Sequence, residues 1–188
     1  MKSKLGVYVG SFNPVHDGHI NIVKYLLNNN YVDKVLIVPT LNYWNKNNLI
    51  DIKHRINMLK FFEDDNIIID TLHNKYIYTY ELLNILSNEY IDYDLYLVMG
   101  ADNIVRFNEW KNVEDILKYN IIVLKRDNIN INAYIDKYNY DRSKFIVIDN
   151  YPFINISSTD IRNNIDNSNI SSKVYKYIKD NNLYRRNI

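Results

Sequence analysis

The chain has 188 residues, of which 47% are apolar and 24% charged, with a net charge of +1 at pH 7; this suits a globular protein that buries an ample core as one domain, 1–188. So even a charge balance argues against nucleic acid as a partner, which needs a strongly basic face, and the lack of cysteine excludes disulfides, thiolate metal sites and cysteine nucleophiles. The apolar run after Met1-Lys2-Ser3-Lys4 is too short for a signal-peptide core, and no stretch nears the roughly 20 apolar residues of a membrane span, so a cytoplasmic protein without a membrane partner is expected, its oligomeric state left open.

In chain order the pattern predicts strand 4–9, helix 18–28, strand 34–38, helix 51–63, strand 66–70, helix 79–90 and strand 94–99. Helix 113–118, strand 120–124, helix 130–138, strand 145–148 and helices 158–166 and 171–180 follow. Val35-Leu36-Ile37-Val38 and Ile121-Ile122-Val123-Leu124 are continuous apolar runs, as buried parallel strands should be. Regular alternation of strand and helix predicts an α/β fold: a Rossmann-like, doubly wound parallel sheet with helices on both faces and a C-terminal helical segment. In such sheets ligands bind beyond the carboxyl ends of the strands, so residues after strands 1, 2 and 4 should converge. Heavy use of Asn, Ile, Lys and Tyr (18 Tyr) reads as A/T-rich coding and carries no functional signal.

The most informative segment is Gly10-Ser11-Phe12-Asn13-Pro14-Val15-His16-Asp17-Gly18-His19, which follows the first strand and opens the first helix. Unpaired N–H groups at a helix start attract anions, and His16 and His19, three residues apart, share one side of the first turn. A second segment, Ile156-Ser157-Ser158-Thr159-Asp160-Ile161-Arg162, sets serine hydroxyls and a guanidinium at another helix start. There Ser157 with Asp160 also reads as a helix cap, as does Ser171 for the last helix. Opposed, the two segments would hold a polyphosphate from both sides.

The first segment resembles the signature of the nucleotidylyltransferase superfamily, and the second resembles its C-terminal signature. The likeness implies ATP contacts from Gly10, Ser11, Phe12, His16, His19, Ser157, Ser158 and Arg162, with His16, His19 and Arg162 catalytic. Met99-Gly100-Ala101-Asp102 resembles the family's Gly-x-Asp, which implies that Gly100 and Asp102 meet the nucleotides; a plain turn with Asp102 as a cap is the competing reading. Phe107-Asn108-Glu109-Trp110 resembles the Phe-x-x-Trp element of bacterial-type nicotinate mononucleotide adenylyltransferases, which implies that Trp110 stacks on the pyridine ring. Tyr78-Thr79 with Leu82-Leu83 resembles the same enzymes' Tyr-Thr-x-x-x-Leu, implying a nicotinate contact for Thr79, which is equally placed to be an N-cap. The ending, Val174 through Tyr184, also matches, so the resemblance spans nearly the whole chain.

Two departures stand out. Asn13 occupies a position where aspartate is commoner, and Tyr43-Trp44-Asn45-Lys46 replaces the usual Pro-Pro-His-Lys, keeping only Lys46 as a phosphate contact. Arg55 reads as a packing residue or a surface ion-pair partner. The activity implied is adenylyl transfer from ATP to nicotinate mononucleotide with release of pyrophosphate, Mg²⁺ being inferred from polyphosphate chemistry and not from a ligand motif. His16-Asp17 and His16-x-x-His19 also fit part of a metal hydrolase site, but neither has a recognisable further ligand set. A phosphopantetheine adenylyltransferase is the enzyme alternative, and a nucleotide-binding sensor module the non-catalytic one.

Overall fold

The structure is a computed structural model that describes residues 2–41, 49–76, 78–125, 128–152, 156–166 and 168–184. Its strands are β1 (Ser3–Gly10), β2 (Lys34–Pro39), β3 (Ile67–Ile69), β4 (Tyr93–Gly100), β5 (Asn120–Leu124) and β6 (Phe145–Ile148). Its α-helices are α1 (Asp17–Asn28), α2 (Ile52–Leu59), α3 (Thr79–Glu89), α4 (Ala101–Ile104), α5 (Val113–Ile116), α6 (Ile131–Lys137), α7 (Ser158–Asn163) and α8 (Ser172–Asp180). The strands form one sheet in the order β3-β2-β1-β4-β5-β6, and every pairing is parallel.

The continuous apolar runs follow from burial on both faces. Side chains alternate across a strand, so Val35 and Ile37 of β2 enter one core while Leu36 and Val38 enter the other. The first core also takes Ile20, Val23 and Leu26 of α1, Met58 and Leu59 of α2, and Val174 and Ile178 of α8. The second takes Leu82, Leu83 and Leu86 of α3, Ile116 of α5, and Ile131 and Ile135 of α6. From β1 the chain winds outward through β2 and β3, then returns to lay β4 on the other side of β1. That reversal opens a crevice beyond the carboxyl ends of β1 and β4, where Gly10 and Gly100 end the two strands.

All six predicted strands are present, with ends that shift by a residue or so. Helix 51–63 stops earlier, at Leu59, tightens into a 3₁₀ turn over Lys60–Phe62, and turns extended at Glu63. The cause is local: Asp64 Oδ1 accepts the N–H groups of Asn66 and Ile67, a turn that competes with helix. Helix 158–166 ends at Asn163, where Asn164 leaves helical geometry and Asp166 accepts the Ser168 N–H in a further side-chain turn. Helix α4 was not predicted, being only four residues long and too short to show a period. Among the described residues no helix is long and apolar enough to cross a membrane.

Candidate active site

The chain leaves β1 at Gly10 and reaches α1 through a short loop whose backbone carbonyls are tied to the protein. The Gly10 carbonyl accepts the Thr40 N–H at 2.8 Å, and the Ser11 carbonyl accepts Arg55 Nη1 at 2.7 Å. The Asn13 carbonyl accepts Arg162 Nη1 at 2.7 Å, and the Pro14 carbonyl accepts the Ser158 hydroxyl at 3.1 Å. Carbonyl oxygens repel phosphate, so binding them to protein donors removes that repulsion from an anion site. Phe12 takes a left-handed φ of 45° with its side chain 1% exposed. A methyl group at Gly10 would lie 3.0 Å from the Phe12 ring, so glycine there lets the ring fold back beneath the loop.

His16 occupies the N-cap position of α1. Its N–H donates to His19 Nδ1 at 3.3 Å, while the His19 N–H returns to the His16 carbonyl at 2.9 Å. With Nδ1 accepting, the neutral His19 ring carries its proton on Nε2, which makes that atom a donor. The two imidazoles lie against each other at a tilt of 30°, their centroids 3.7 Å apart, and the Phe12 ring meets His19 edge-on at 5.0 Å. Gly18 makes room for this pair, because a Cβ there would stand 3.0 Å from His16 Nδ1 and Cε1.

Helix α7 brings the second segment against the first. Ser157 caps it as expected, its Oγ accepting the Asp160 N–H at 3.1 Å and donating to the Asp160 carboxylate at 2.5 Å. Arg162 lies one turn in, held by Thr159 Oγ1 at 3.1 Å and by the Asn13 carbonyl. The hydroxyls of both serines are thus engaged within the protein, and the second segment binds the first directly.

Of the two readings of Arg55, a packing residue or a surface ion-pair partner, the structure excludes the second. It is 2% exposed, and its guanidinium joins the carbonyls of Ser11 and Thr40 at 2.7 Å each and that of Ile50 at 3.2 Å. Burial holds its pKa below the usual arginine value, opposed by Tyr184 and Asp51. Tyr184, next to the chain's end, donates its hydroxyl at 2.9 Å to Asn13 Oδ1, which also accepts the Ile50 N–H at 3.3 Å. Burial raises the Tyr184 pKa well above the normal tyrosine range against the pull of Arg162 and Arg55, so the hydroxyl keeps its proton and stays a donor. Asn13 is therefore a buried acceptor, and its amide does this without a carboxylate's charge.

One cavity of about 1100 Å³ takes in the loop after β1, the two histidines, Arg162, Gly100 and Asp102, and also Thr79 and Trp110. Small-molecule pockets run to about 300–1,000 Å³, so this one stands at the large end of that range. Gly100 is the N-cap of α4 and Asp102 stands in its first turn; a methyl group at Gly100 would lie 2.5 Å from Asp102 Oδ1. The cap is therefore Gly100, not Asp102. Likewise Tyr78 caps α3, and Thr79 is its first helical residue, not its N-cap. Trp110 sits edge-to-face on the buried Phe107 at 5.4 Å, and Lys111 Nζ lies 4.3 Å over the Tyr78 ring. Every predicted site residue except one meets on this cavity; Lys46 lies outside the described residues. Among the described residues no three His, Asp or Glu side chains converge as a metal cage.

Comparison with known proteins gives the class first: residues 7–164 match the cytidylyltransferase-like family. Proteins described as "Probable nicotinate-nucleotide adenylyltransferase" are similar along the full length. That of Flavobacterium psychrophilum is 32% identical, covering 97% of this chain and 100% of its own. That of Borreliella burgdorferi is 35% identical, covering 98% of each. The chain belongs to the nicotinate-nucleotide adenylyltransferase family. Its fold is that of the Plasmodium falciparum nicotinic acid mononucleotide adenylyltransferase complexed with NaAD, at a TM-score of 0.79 and 23% identity, covering 97% of each chain. The same enzyme complexed with APC matches equally well.

The buried guanidinium generates a prediction. Arg55→Met strands carbonyls of three segments and should cost about 3 kcal/mol or more, at roughly 1–3 kcal/mol per buried unsatisfied group. Arg55→Lys should recover only part, because a single ammonium cannot reproduce the planar fork. Urea unfolding of the three proteins, beside their KM for ATP, checks both statements.

Proposed function

We propose that this chain transfers the adenylyl group of ATP to nicotinate mononucleotide, forming nicotinate adenine dinucleotide and pyrophosphate. The observation that carries this reading is one cavity that takes in both the His16–His19–Arg162 cluster and the Trp110–Thr79 pair. Full-length relatives named for this activity, and a neighbour of the same fold complexed with the dinucleotide product, support it.

In this reading a 5′-phosphate oxygen of the mononucleotide attacks the α-phosphorus of ATP in line. The new P–O bond forms as the bond between the α-phosphorus and the α,β-bridging oxygen breaks, and its electron pair leaves on pyrophosphate. A phosphate oxygen is already a competent nucleophile, so the protein's task is to position the reactants and to neutralise developing charge. His19 Nε2–H and the Arg162 guanidinium donate to the triphosphate, with His16 stacked on His19 to hold its ring. The Gly10–Pro14 loop and the first turn of α1 receive phosphate oxygens. Mg²⁺ enters with ATP as part of the substrate, as polyphosphate chemistry requires. Trp110 stacks on the electron-poor pyridinium ring, Thr79 meets the nicotinate carboxylate, and Gly100 and Asp102 approach the nucleotides.

The test is pyrophosphate release with MgATP and, in parallel, nicotinate mononucleotide, nicotinamide mononucleotide or 4′-phosphopantetheine. The expected result is strong preference for the first; turnover of phosphopantetheine alone would overturn the substrate, and ATP binding without turnover would favour a sensor. His19→Ala should lower kcat by about 10²–10³, the usual loss for a donor to transition-state charge, and full activity would remove His19 from the mechanism. Trp110→Ala should raise the mononucleotide KM at least about tenfold, as loss of a base–aromatic stack does, while leaving the KM for ATP near its original value.

A further inference from the structure

A buried histidine lies outside the reaction centre but on the cavity's rim. His73, 8% exposed, follows β3 and precedes α3. Its Nδ1 lies 3.1 Å from Asp70 Oδ2, and its Nε2 lies 3.2 Å from the carboxylate of Glu89. Asp70, itself 6% exposed, also accepts the N–H groups of Leu72 at 2.7 Å and His73 at 3.0 Å. The Tyr76 ring lies parallel to the imidazole with centroids 6.0 Å apart. The groups that face the ring are thus Asp70 at the end of β3, Glu89 on the last turn of α3, and Tyr76 on its own loop. The Tyr90 hydroxyl lies close enough to Asp70 and Glu89 for both to raise its pKa, after burial as the main cause. Lys75 is turned onto Tyr76, its Nζ 5.5 Å from that ring.

Both ring nitrogens face carboxylate oxygens, and only the imidazolium donates from both. A neutral ring has one N–H and sets its other lone pair against a carboxylate. The bridge closes a circuit from the end of β3 to the end of α3, and the backbone within that circuit carries Tyr76 and Thr79 to the cavity. We propose that His73 is a positioning residue for the pyridine mononucleotide: its ring, bridging Asp70 and Glu89, holds this wall of the cavity in place. The inference rests on the activity proposed above and assigns to His73 a control on the affinity of one of the two substrates.

The experiment measures kcat and the KM for nicotinate mononucleotide and for MgATP in the wild type, His73→Gln and Glu89→Gln. His73→Gln offers one amide nitrogen where the ring offers two, and should raise the mononucleotide KM about threefold to tenfold, the span one net hydrogen bond supports, while kcat and the KM for MgATP stay near their wild-type values. Glu89→Gln should keep a mononucleotide KM near that of the wild type, because an amide can accept from the charged ring and donate to the neutral one. An unchanged mononucleotide KM in an active His73→Gln enzyme, or a rise shared equally by both substrates, overturns the role of His73 alone. A wild type that does not turn over nicotinate mononucleotide overturns the proposed activity and this inference with it.

Discussion

The site depends on how the carbonyls of one loop are satisfied. Between β1 and α1 the backbone must present an anion-binding surface, yet each residue also carries a carbonyl oxygen that phosphate avoids. Thr40, Arg55, Ser158 and Arg162 take up the carbonyls of Gly10, Ser11, Pro14 and Asn13. These donors come from the end of β2, from α2 and from α7, so the loop keeps its shape only if the sheet and both helices are assembled. A buried polar network of this kind stabilises one arrangement because every alternative leaves a carbonyl or a guanidinium without its partner.

The same network explains why the two signature segments lie so far apart in sequence. Arg162 and Ser158 hold the backbone of Asn13 and Pro14, and in doing so bring a cation and a helix start beside His16 and His19. Asn13 shows what the departure from aspartate costs: nothing in hydrogen bonding, since Oδ1 accepts from Tyr184 and from the backbone of Ile50. The change leaves the positive charge of Arg55 and Arg162 without an offsetting carboxylate at that position.

The topology also shapes the far end of the cavity. Reversal of strand order beside β1 puts Gly10 and Gly100 on neighbouring strand ends, and the crevice between them runs on to Thr79 of α3 and Trp110. The two parts of the cavity are therefore lined by different elements.

The sequence by itself determined the parallel α/β sheet, because strands buried on both faces must read as continuous apolar runs. It also determined the Ser157 cap, since that is written in consecutive residues whose local geometry needs few partners. Several site features were decided only by tertiary structure. Arg55 read as a packing or surface residue because its carbonyl partners at Ser11 and Thr40 lie far from it in the chain and no side chain advertises a backbone acceptor. Tyr184 meets Asn13 across almost the whole chain, and Glu89 meets His73 only once α3 has packed. The caps of α3 and α4 fell to Tyr78 and Gly100, whose backbones are extended, and not to Thr79 and Asp102, which lie inside the helices. Local pattern specifies elements and motifs; which buried donor reaches which buried acceptor is set by the packing that brings distant segments together.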